Sequence, residues 1–268
     1  MGGVFSYLNF LIIGKYLRQR KLLSVIILKI GGVGMDSKQC GLILALDLPT
    51  LDGARAFLER LDKATPYVKV GPRLYAMGGI SFAKEIINMG YNLFLDLKLH
   101  DIPNTVASAV EPLSEIGLWA LTIHTSGGYE MMARSVAMRD KTGSNMNLFG
   151  ITVLTSLGGE LWSDVHPGSD LQSSLIARAE TAERAGLDGI VCSPLDLALL
   201  QGRAEKLVRV VPGIRAAKVS TEDQTRVATA AEAAKSGAGY IVVGRPILEA
   251  ADPIAAAREI LNDIRGKI

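Results

Sequence analysis

Asp96 and Lys98 are the clearest candidates for chemistry in this sequence of 268 residues. They lie in Leu93–Leu99, where every second residue is leucine, and this alternation predicts a β-strand. Because side chains with a period of two share a face, the carboxylate and the ammonium lie on the same side, about 7 Å apart along the backbone. Asp101 follows, just before Pro103, which suits the first turn of a helix. Two carboxylates and an amine therefore converge where a strand meets a helix, and such groups suit acid–base catalysis.

A structural interpretation of these residues stays open. Charged groups on an apolar strand are costly to bury unless they are paired, so an ion pair without a catalytic role would place Asp96 and Lys98 in the same way. Asp47 and Lys69, in two earlier predicted strands, are equally ambiguous. Asp47 could open a turn before Pro49. Lys69 could bury its aliphatic chain while its ammonium group reaches solvent.

Two segments near the C-terminus are typical of a phosphate site. Val211–Arg215 and Val242–Pro246 each place a glycine and an arginine after an apolar run. Glycine allows close approach of the backbone, and arginine offers a planar set of donors that fits phosphate oxygens. The sequence contains neither a Gly-x-Gly-x-x-Gly pattern nor a Walker-type loop, so a dinucleotide or a triphosphate is not indicated.

Short apolar runs that alternate with longer amphipathic segments must position these residues. The runs predict eight strands: Leu42–Asp47, Tyr67–Gly71, Leu93–Lys98, Ala120–His124, Phe149–Thr155, Gly189–Ser193, Arg209–Pro212 and Tyr240–Gly244. The segments predict a helix that includes Ala54, Phe57, Leu58 and Leu61, followed by Ile80–Met89, Thr105–Ile116, Glu130–Arg139, Leu171–Ala185, Leu195–Glu205, Thr221–Lys235 and Pro253–Ile264. Strict alternation predicts a parallel sheet, and the count favours a closed (β/α)8 TIM barrel over an open doubly wound sheet.

In such a barrel the carboxyl ends of all strands share one rim, where active sites are found. Many polar residues lie at or just beyond the carboxyl ends of the predicted strands: Asp47, Lys69, Asp96, Lys98, His124, Thr155, Ser156, Ser193, Arg215 and Arg245. Chance would scatter such residues between both rims. The long stretch Leu157–Asp170 after the fifth strand is a candidate lid over the site.

The composition narrows the class of protein. Apolar residues make up 49% and charged residues 21%, which suits a globular protein with a sizeable core. Cys40 and Cys192 are too few for a disulfide framework and fit a reducing cytoplasm. The three histidines, His100, His124 and His166, lack the spacing of metal ligands, so we expect no metal site.

Residues 1–35 differ from the rest and are interpreted as an extension outside the fold, non-native or misassigned. They contain five basic and no acidic residues, which leaves 24 basic against 27 acidic residues elsewhere. This balance excludes a nucleic-acid-binding surface. The apolar runs of the extension are shorter than the ~18–20 residues that span a bilayer, although a basic segment at a membrane surface is an alternative. Residues 36–268 show no linker and are predicted to form one domain.

Several separated motifs together resemble the orotidine 5′-phosphate decarboxylase family, in its bacterial form. The most specific is Asp-x-Lys-x-x-Asp-Ile-Pro-x-Thr, which ends the third predicted strand. The motifs are Ala45–Asp47, Val68–Gly71, Asp96–Thr105, His124–Gly128, Thr152–Ser156, Pro212–Arg215, Asp223–Arg226 and Val243–Arg245. Their order and spacing cover almost all of residues 40–264.

The resemblance implies a role for each matching residue. It implies that Lys98 donates the proton, within a charged array of Lys69, Asp96, Lys98 and Asp101. It further implies a homodimer in which Asp101 comes from the neighbouring subunit. The implied substrate-binding residues are Asp47 and Lys69 at the ribose, Thr155 or Ser156 at the pyrimidine edge, Pro212, Arg215, Gln224, Gly244 and Arg245 at the phosphate, and also Asp96 and Thr105.

The implied reaction is a decarboxylation without a cofactor. Loss of carbon dioxide from C6 of the pyrimidine leaves a carbanion that a fixed ammonium can stabilise and then protonate. One alternative is a magnesium-dependent sugar-phosphate decarboxylase of the 3-keto-L-gulonate 6-phosphate type, which shares the Asp-x-Lys-x-x-Asp strand. Another is a nucleotide-binding barrel without activity. The Ile-Pro-Asn-Thr continuation argues against the first, and the intact charged array against the second.

Overall fold

The structure is a computed structural model that describes residues 40–158, 160–214 and 228–266. Eight parallel strands in these ranges close into a barrel in sequence order, and the last strand pairs back onto the first. The strands are β1 (Gly41–Ala45), β2 (Tyr67–Val70), β3 (Asn92–Leu99), β4 (Ala120–His124), β5 (Asn147–Ile151), β6 (Gly189–Val191), β7 (Val208–Val211) and β8 (Tyr240–Val243). The predicted TIM barrel is confirmed, and the open doubly wound alternative is wrong because the sheet closes. The prediction for residues 1–35 lies outside the described residues.

Helices connect consecutive strands and cover the outside of the barrel. They are α1 (Leu51–Leu61), α2 (Pro72–Asn88), α3 (Pro103–Ser114), α4 (Gly128–Thr142), α5 (Glu160–Val165), α6 (Leu171–Arg184), α7 (Asp196–Leu199), α8 (Ala230–Lys235), α9 (Arg245–Leu248) and α10 (Pro253–Ile264). A short 3-10 helix, Thr125–Gly127, precedes α4. Side-chain caps from Thr50, Asp170 and Asp252 satisfy free backbone N–H groups at the starts of α1, α6 and α10.

Several element bounds differ from the predictions for local reasons. The predicted helix Leu195–Glu205 is only the short α7, because Gly202 and Ala204 have φ angles of 69° and 44°, outside the helical region. The helix predicted to start at Ile80 begins earlier and bends at Gly79, where φ is 55°. The helix predicted from Thr221 is described only as α8 (Ala230–Lys235), because Thr221 and Gln224 lie outside the described residues. Thr229 and Glu232 form a capping box at α8.

Alternate residues of each strand point into the barrel or outward onto the helices. The inward residues form one buried cluster of Ile43, Ala45, Phe94, Ala120, Phe149, Val210 and Val242, with Tyr67, Trp119, Val191 and Tyr240 packed against it. Five of these side chains form an aromatic layer near the amino ends of the strands: Tyr67, Phe94, Trp119, Phe149 and Tyr240. Their ring centroids lie 4.6–6.1 Å apart in tilted and edge-to-face pairs, the geometry that aromatic rings prefer. This layer fills the lower half of the barrel and leaves the carboxyl ends for the site.

Among the helices of the described ranges, none combines the length and the apolar character that crossing a bilayer requires.

Candidate active site

Strand β3 supplies the charged residues, and its end is irregular. The register with β4 shifts between Leu95 and Leu99, which pair with Leu121 and Ile123, so β3 contains extra residues. Lys98 lies within this bulge and has a φ angle of 51°, in the left-handed region that a lysine rarely adopts. Bulges re-aim side chains next to active sites. Here the bulge brings the Asp96 and Lys98 side chains into direct contact.

Four charged side chains meet at the carboxyl ends of the first three strands. Lys98 Nζ donates to Asp96 Oδ2 at 2.8 Å, and Lys69 Nζ lies 3.3 Å from the same oxygen. Lys69 Nζ also lies 3.8 Å from Asp47 Oδ1. Three members of the array expected from the sequence are therefore together, and Asp47 extends it. Exposure is graded: 11% of the Asp96 side chain is exposed, against 35% for Lys98 and 62% for Asp47.

The environment of Asp96 favours its ionised form. Burial alone would raise the pKa of Asp96, but the positive charges of Lys69 and Lys98 and hydrogen bonds from Lys98 and Thr122 together lower it. The carboxylate thus stays negative near neutral pH and holds both ammonium groups. It is the charge around which the site is arranged.

Thr122 of β4 is a member of the site that the motifs did not reveal. Its hydroxyl donates to Asp96 Oδ1 at 3.0 Å and accepts from the Lys98 backbone N–H at 2.8 Å. The side chain is fully buried. The sequence does place Thr122 on the same face of its strand as His124. A single threonine in an apolar run, however, matches no motif.

A cavity of about 660 Å³ opens above this charged group. Its lining includes the four charged residues just described and an apolar wall from five of the strands and from loops that follow the strands. The apolar lining residues are Ala45, Leu48, Phe94, Ile151, Val153, Leu154, Val191, Ile214, Val242, Pro246 and Leu248, together with Cys192. This volume suits a small organic ligand with a few polar contacts.

The two candidates for the pyrimidine edge separate in the structure. Thr155 lines the cavity, whereas its neighbour Ser156 is exposed and does not. Strand β5 ends at Ile151, earlier than predicted, because Thr152 turns its hydroxyl to the carbonyl of Val191 at 2.8 Å. The predicted strand end is therefore a loop that carries Thr155 over the cavity.

The predicted phosphate residues are described in part. Pro212, Gly244 and Arg245 line the side of the cavity formed by the loops after β7 and β8. Arg215 and Gln224 lie outside the described residues, so their predicted roles stay predictions. The described part of the loop after β7 leads from Pro212 into the cavity wall through Gly213, with a φ angle of 80°.

Asp101 and Thr105 lie apart from the cavity lining of their own chain. Both are exposed, and Asp101 Oδ1 accepts from the backbone N–H of Ile102 at 2.6 Å. Ile102 has 68% of its surface exposed, which is high for an isoleucine. The turn between β3 and α3 therefore presents a carboxylate and an apolar side chain outward.

His124 takes part in a local polar contact with His100 and Ser126. Its ring stacks on His100 with centroids 5.2 Å apart, and Ser126 Oγ lies 2.6 Å from its Nδ1. Burial first, then electrostatic interactions with His100, Arg178 and Lys98, lower the pKa of His124 to about 4, so the ring is neutral at pH 7. No group of three metal-ligating side chains occurs within the ranges that the structure covers.

The predicted lid, Leu157–Asp170, contains α5 and is fixed at its far end. Trp162 donates from its indole N–H to the Ser169 carbonyl at 2.8 Å and packs under the Arg178 guanidinium at 5.3 Å. Arg178 in turn donates to the Thr152 carbonyl at 2.7 Å. These contacts tie the segment to α6 and to the end of β5, next to the cavity.

Comparison with known proteins gives a consistent result. Residues 41–260 match the sequence model of the family described as "Orotidine 5'-phosphate decarboxylase / HUMPS family". A protein of Opitutus terrae named orotidine 5′-phosphate decarboxylase is 42% identical, over 84% of this chain and 99% of its own. A protein of Pseudomonas putida strain KT2440 with the same name is 40% identical, over 87% of this chain and 100% of its own.

A solved structure supports the same relation. The crystal structure of orotidine 5′-phosphate decarboxylase from Lactobacillus acidophilus superposes with a TM-score of 0.74 at 33% sequence identity. The superposition covers 84% of this chain and 99% of that one.

Proposed function

The chain belongs to the orotidine 5′-phosphate decarboxylase / HUMPS family, and we propose that it converts orotidine 5′-phosphate to uridine 5′-phosphate with release of carbon dioxide, the last step of uridine monophosphate synthesis. The observation that carries the proposal is the Lys98 ammonium, held 2.8 Å from Asp96 at the cavity. An uncatalysed decarboxylation at C6 leaves a carbanion that no adjacent carbonyl can delocalise. A fixed positive charge at that position stabilises the anion as it forms.

Lys98 has two successive roles in this mechanism. Its ammonium first faces the negative charge that develops at C6 while the bond to the carboxylate breaks. It then transfers a proton to C6, which completes uridine 5′-phosphate and leaves Lys98 neutral until solvent returns a proton. The position of Lys98 is restrained by Asp96 Oδ2 and by the bulge of β3, so little reorganisation is needed at the moment of reaction.

Asp96 and Lys69 set the electrostatics around that proton donor. Asp96 stays ionised because two ammonium groups face it, and the carboxylate of a bound substrate beside it would experience repulsion that its loss relieves. Lys69 also reaches Asp47, and this pair would bind the ribose hydroxyls at the edge of the cavity. Thr155 would contact the pyrimidine edge from the loop after β5.

Phosphate binding is proposed at the opposite side of the cavity. Gly244 and Arg245 line it, and Arg215 and Gln224 are added from the resemblance alone. Arginine forms charge-assisted hydrogen bonds with phosphate oxygens. Because the phosphate is remote from C6, its binding energy would hold the substrate and the closed segment Leu157–Asp170 in the reactive arrangement.

A homodimer with shared sites is proposed from Asp101. The outward position of Asp101 and the exposed Ile102 beside it suit a contact across a two-fold axis. Mixing the inactive variants Lys98→Ala and Asp101→Ala tests this. In a mixed dimer one site receives both substitutions and the other neither, so random exchange should restore roughly a quarter of all sites. Subunit exchange shown by labelling, without any return of activity, would reject the shared site.

The proposed setting is the cytoplasm, with no cofactor, nucleic acid or membrane as partner. Cys40 and Cys192 are buried free thiols, which suits a reducing compartment. The proposed catalytic domain comprises residues 36–268. Because the family match begins at residue 41, a chain that starts at Met35 should fold and keep its activity. An insoluble or inactive product would assign the extension a role in the fold.

The direct test is carbon dioxide release from orotidine 5′-phosphate by the purified full-length chain. We expect stoichiometric uridine 5′-phosphate and unchanged rates after treatment with a chelator. The same preparation should leave 3-keto-L-gulonate 6-phosphate unreacted. Release only from the sugar phosphate, or only with added magnesium, would favour the sugar-phosphate decarboxylase.

A further inference from the structure

Thr122 is placed to control both charged residues of β3 without facing the substrate. It lies on β4, it is fully buried and it is not part of the cavity lining. Its inward direction follows from the strand period, since Ala120 two residues earlier belongs to the barrel interior. A hydroxyl in this position has one proton to donate and lone pairs to accept.

The two hydrogen bonds of that hydroxyl use its one proton and one of its two lone pairs. The hydroxyl donates a hydrogen bond to Asp96 Oδ1 at 3.0 Å. Both lysine ammonium groups contact the other carboxylate oxygen, Oδ2. The lone pair receives the Lys98 backbone N–H at 2.8 Å. This N–H belongs to the bulged residue, where a regular ladder partner is missing because the register shifts there.

Each bond restrains a different degree of freedom. The bond to Asp96 fixes the plane of the carboxylate and therefore the direction of Oδ2, on which Lys98 Nζ rests. The bond to the backbone of Lys98 stabilises a φ angle of 51°, which is unfavourable for a side chain with a Cβ atom. Without the hydroxyl, the buried carboxylate oxygen of Asp96 and the partly buried N–H of Lys98 would both lose a partner.

We propose that Thr122 is a positioning residue for the decarboxylation, in which one hydroxyl sets the Lys98 ammonium through the backbone of Lys98 and through the Asp96 carboxylate. The inference rests on the proposed function. It predicts that the hydroxyl matters for the chemical step more than for ground-state binding, because Thr122 does not contact the ligand. It also predicts that serine, which keeps the hydroxyl, can replace threonine.

The test compares Thr122→Val, which removes the hydroxyl at nearly constant shape, with Thr122→Ser, which keeps it. The measurements are the single-turnover rate on orotidine 5′-phosphate, the affinity for uridine 5′-phosphate and the pH profile of the rate. Thr65→Val is the matched control, because Thr65 is equally buried and its hydroxyl bonds the Leu42 carbonyl at the opposite end of the barrel. Thermal melts identify variants that fail to fold.

The expected result is a loss of about 10- to 100-fold in the single-turnover rate of Thr122→Val, the scale of a misplaced catalytic group. Product affinity should change by less than about threefold, because binding contacts are kept. Thr122→Ser should stay within about threefold of the parent chain, and Thr65→Val should be fully active. The acidic limb of the Thr122→Val profile should move to higher pH, because Asp96 loses a hydrogen bond that lowers its pKa. A purely structural role would lower the melting temperature without moving that limb.

Distinct results separate failure of this inference from failure of the proposed function. If the parent chain releases no carbon dioxide, the proposed function is wrong and the inference falls with it. If the parent chain is active but Thr122→Val keeps more than a third of its rate, or Thr122→Ser loses as much as Thr122→Val, the positioning role is wrong. If Thr122→Val does not fold, Thr122→Ala replaces it under the same limits, since it removes the hydroxyl without adding bulk.

Discussion

The two ends of the barrel interior are built from opposite kinds of side chain, aromatic at one end and charged at the other. Near the amino ends of the strands, five aromatic rings fill the centre, and Phe94 and Phe149 are almost completely buried. Near the carboxyl ends the same inward positions carry Asp96, Lys98 and Lys69 around a cavity of about 660 Å³. Only a few residues separate the two: in β3, Phe94 packs in the aromatic layer and also lines the cavity floor.

The difference shows how stability and chemistry are divided along one set of strands. Aromatic side chains bury large apolar areas and pack in preferred geometries, so the layer closes the barrel and stabilises it. Buried ionised groups are costly even when paired, so the charged end stabilises the fold little and is better explained by its function. Substitutions at the two ends test this division. Those at the charged end should lower turnover, and those at the aromatic end should lower the free energy of unfolding.

The largest effect is expected at the charged end. Lys98→Ala should reduce turnover by more than about 10⁴-fold, a barrier increase above about 5 kcal/mol, because the proton donor and its positive charge are both lost. Binding of uridine 5′-phosphate should stay detectable. Lys141→Ala is the control, since this lysine is 72% exposed and lies on the outer helix α4. Retention of more than about a tenth of the activity would exclude Lys98 as the acid, since a barrier change below ~1.4 kcal/mol cannot represent its loss.

At the aromatic end the expected effect falls on stability. Phe149 has 1% of its surface exposed, and its ring lies 5.6 Å from those of Phe94 and Trp119. Phe149→Ala should lower the free energy of unfolding by about 3–5 kcal/mol, since the cavity it leaves cannot be filled. Urea unfolding measures this loss, with Met77→Ala, at a site 52% exposed, as the control. A loss of turnover in the folded variant at unchanged stability would contradict the division between the two ends.

The sequence predicts some features of the charged end and not others. Alternation of leucines with Asp96 and Lys98 predicts that the charges share a face, because that follows from strand geometry alone. The bulge at Lys98 could not be foreseen, since it depends on the register with β4 and on the hydroxyl of Thr122. Thr155 and Ser156 are equivalent in sequence, and only the path of the loop after β5 selects Thr155 for the cavity.

The aromatic layer was not predicted as such. Tyr67 and Tyr240 begin their strands, but Trp119 lies just before β4. No local pattern relates these positions, because they meet only when the barrel closes. Gly189 gives a further example: a Cβ atom there would lie 2.9 Å from the Phe149 ring and 2.4 Å from the Val208 carbonyl, so the glycine leaves room for both.

A smaller effect is expected at the phosphate side of the charged end. Arg245→Ala should weaken binding of uridine 5′-phosphate by about 1.5–3 kcal/mol, the scale of a hydrogen bond to a charged group. Binding of uridine, which lacks the phosphate, should change little. Arg134→Ala serves as the control, because this arginine is 54% exposed and pairs with Glu130 on an outer helix. Equal losses for the two ligands would place Arg245 away from the phosphate.

The smallest effect is expected from a polar group of the aromatic layer, the Tyr240 hydroxyl. Burial, followed by a hydrogen bond with Tyr67, raises the pKa of Tyr240 above its usual range, so its hydroxyl stays protonated near neutral pH. Tyr240→Phe removes this hydroxyl and keeps the ring that packs 5.0 Å from Trp119. The free energy of unfolding should fall by about 0.5–1.5 kcal/mol, the net value of one hydrogen bond, and turnover should stay unchanged at every pH tested. Urea unfolding and a pH–rate profile measure the two quantities. A shifted pH profile would mean that a titrating group of the lower layer communicates with Asp96 and Lys98, and the separation of the barrel into a stabilising end and a reactive end would then be wrong.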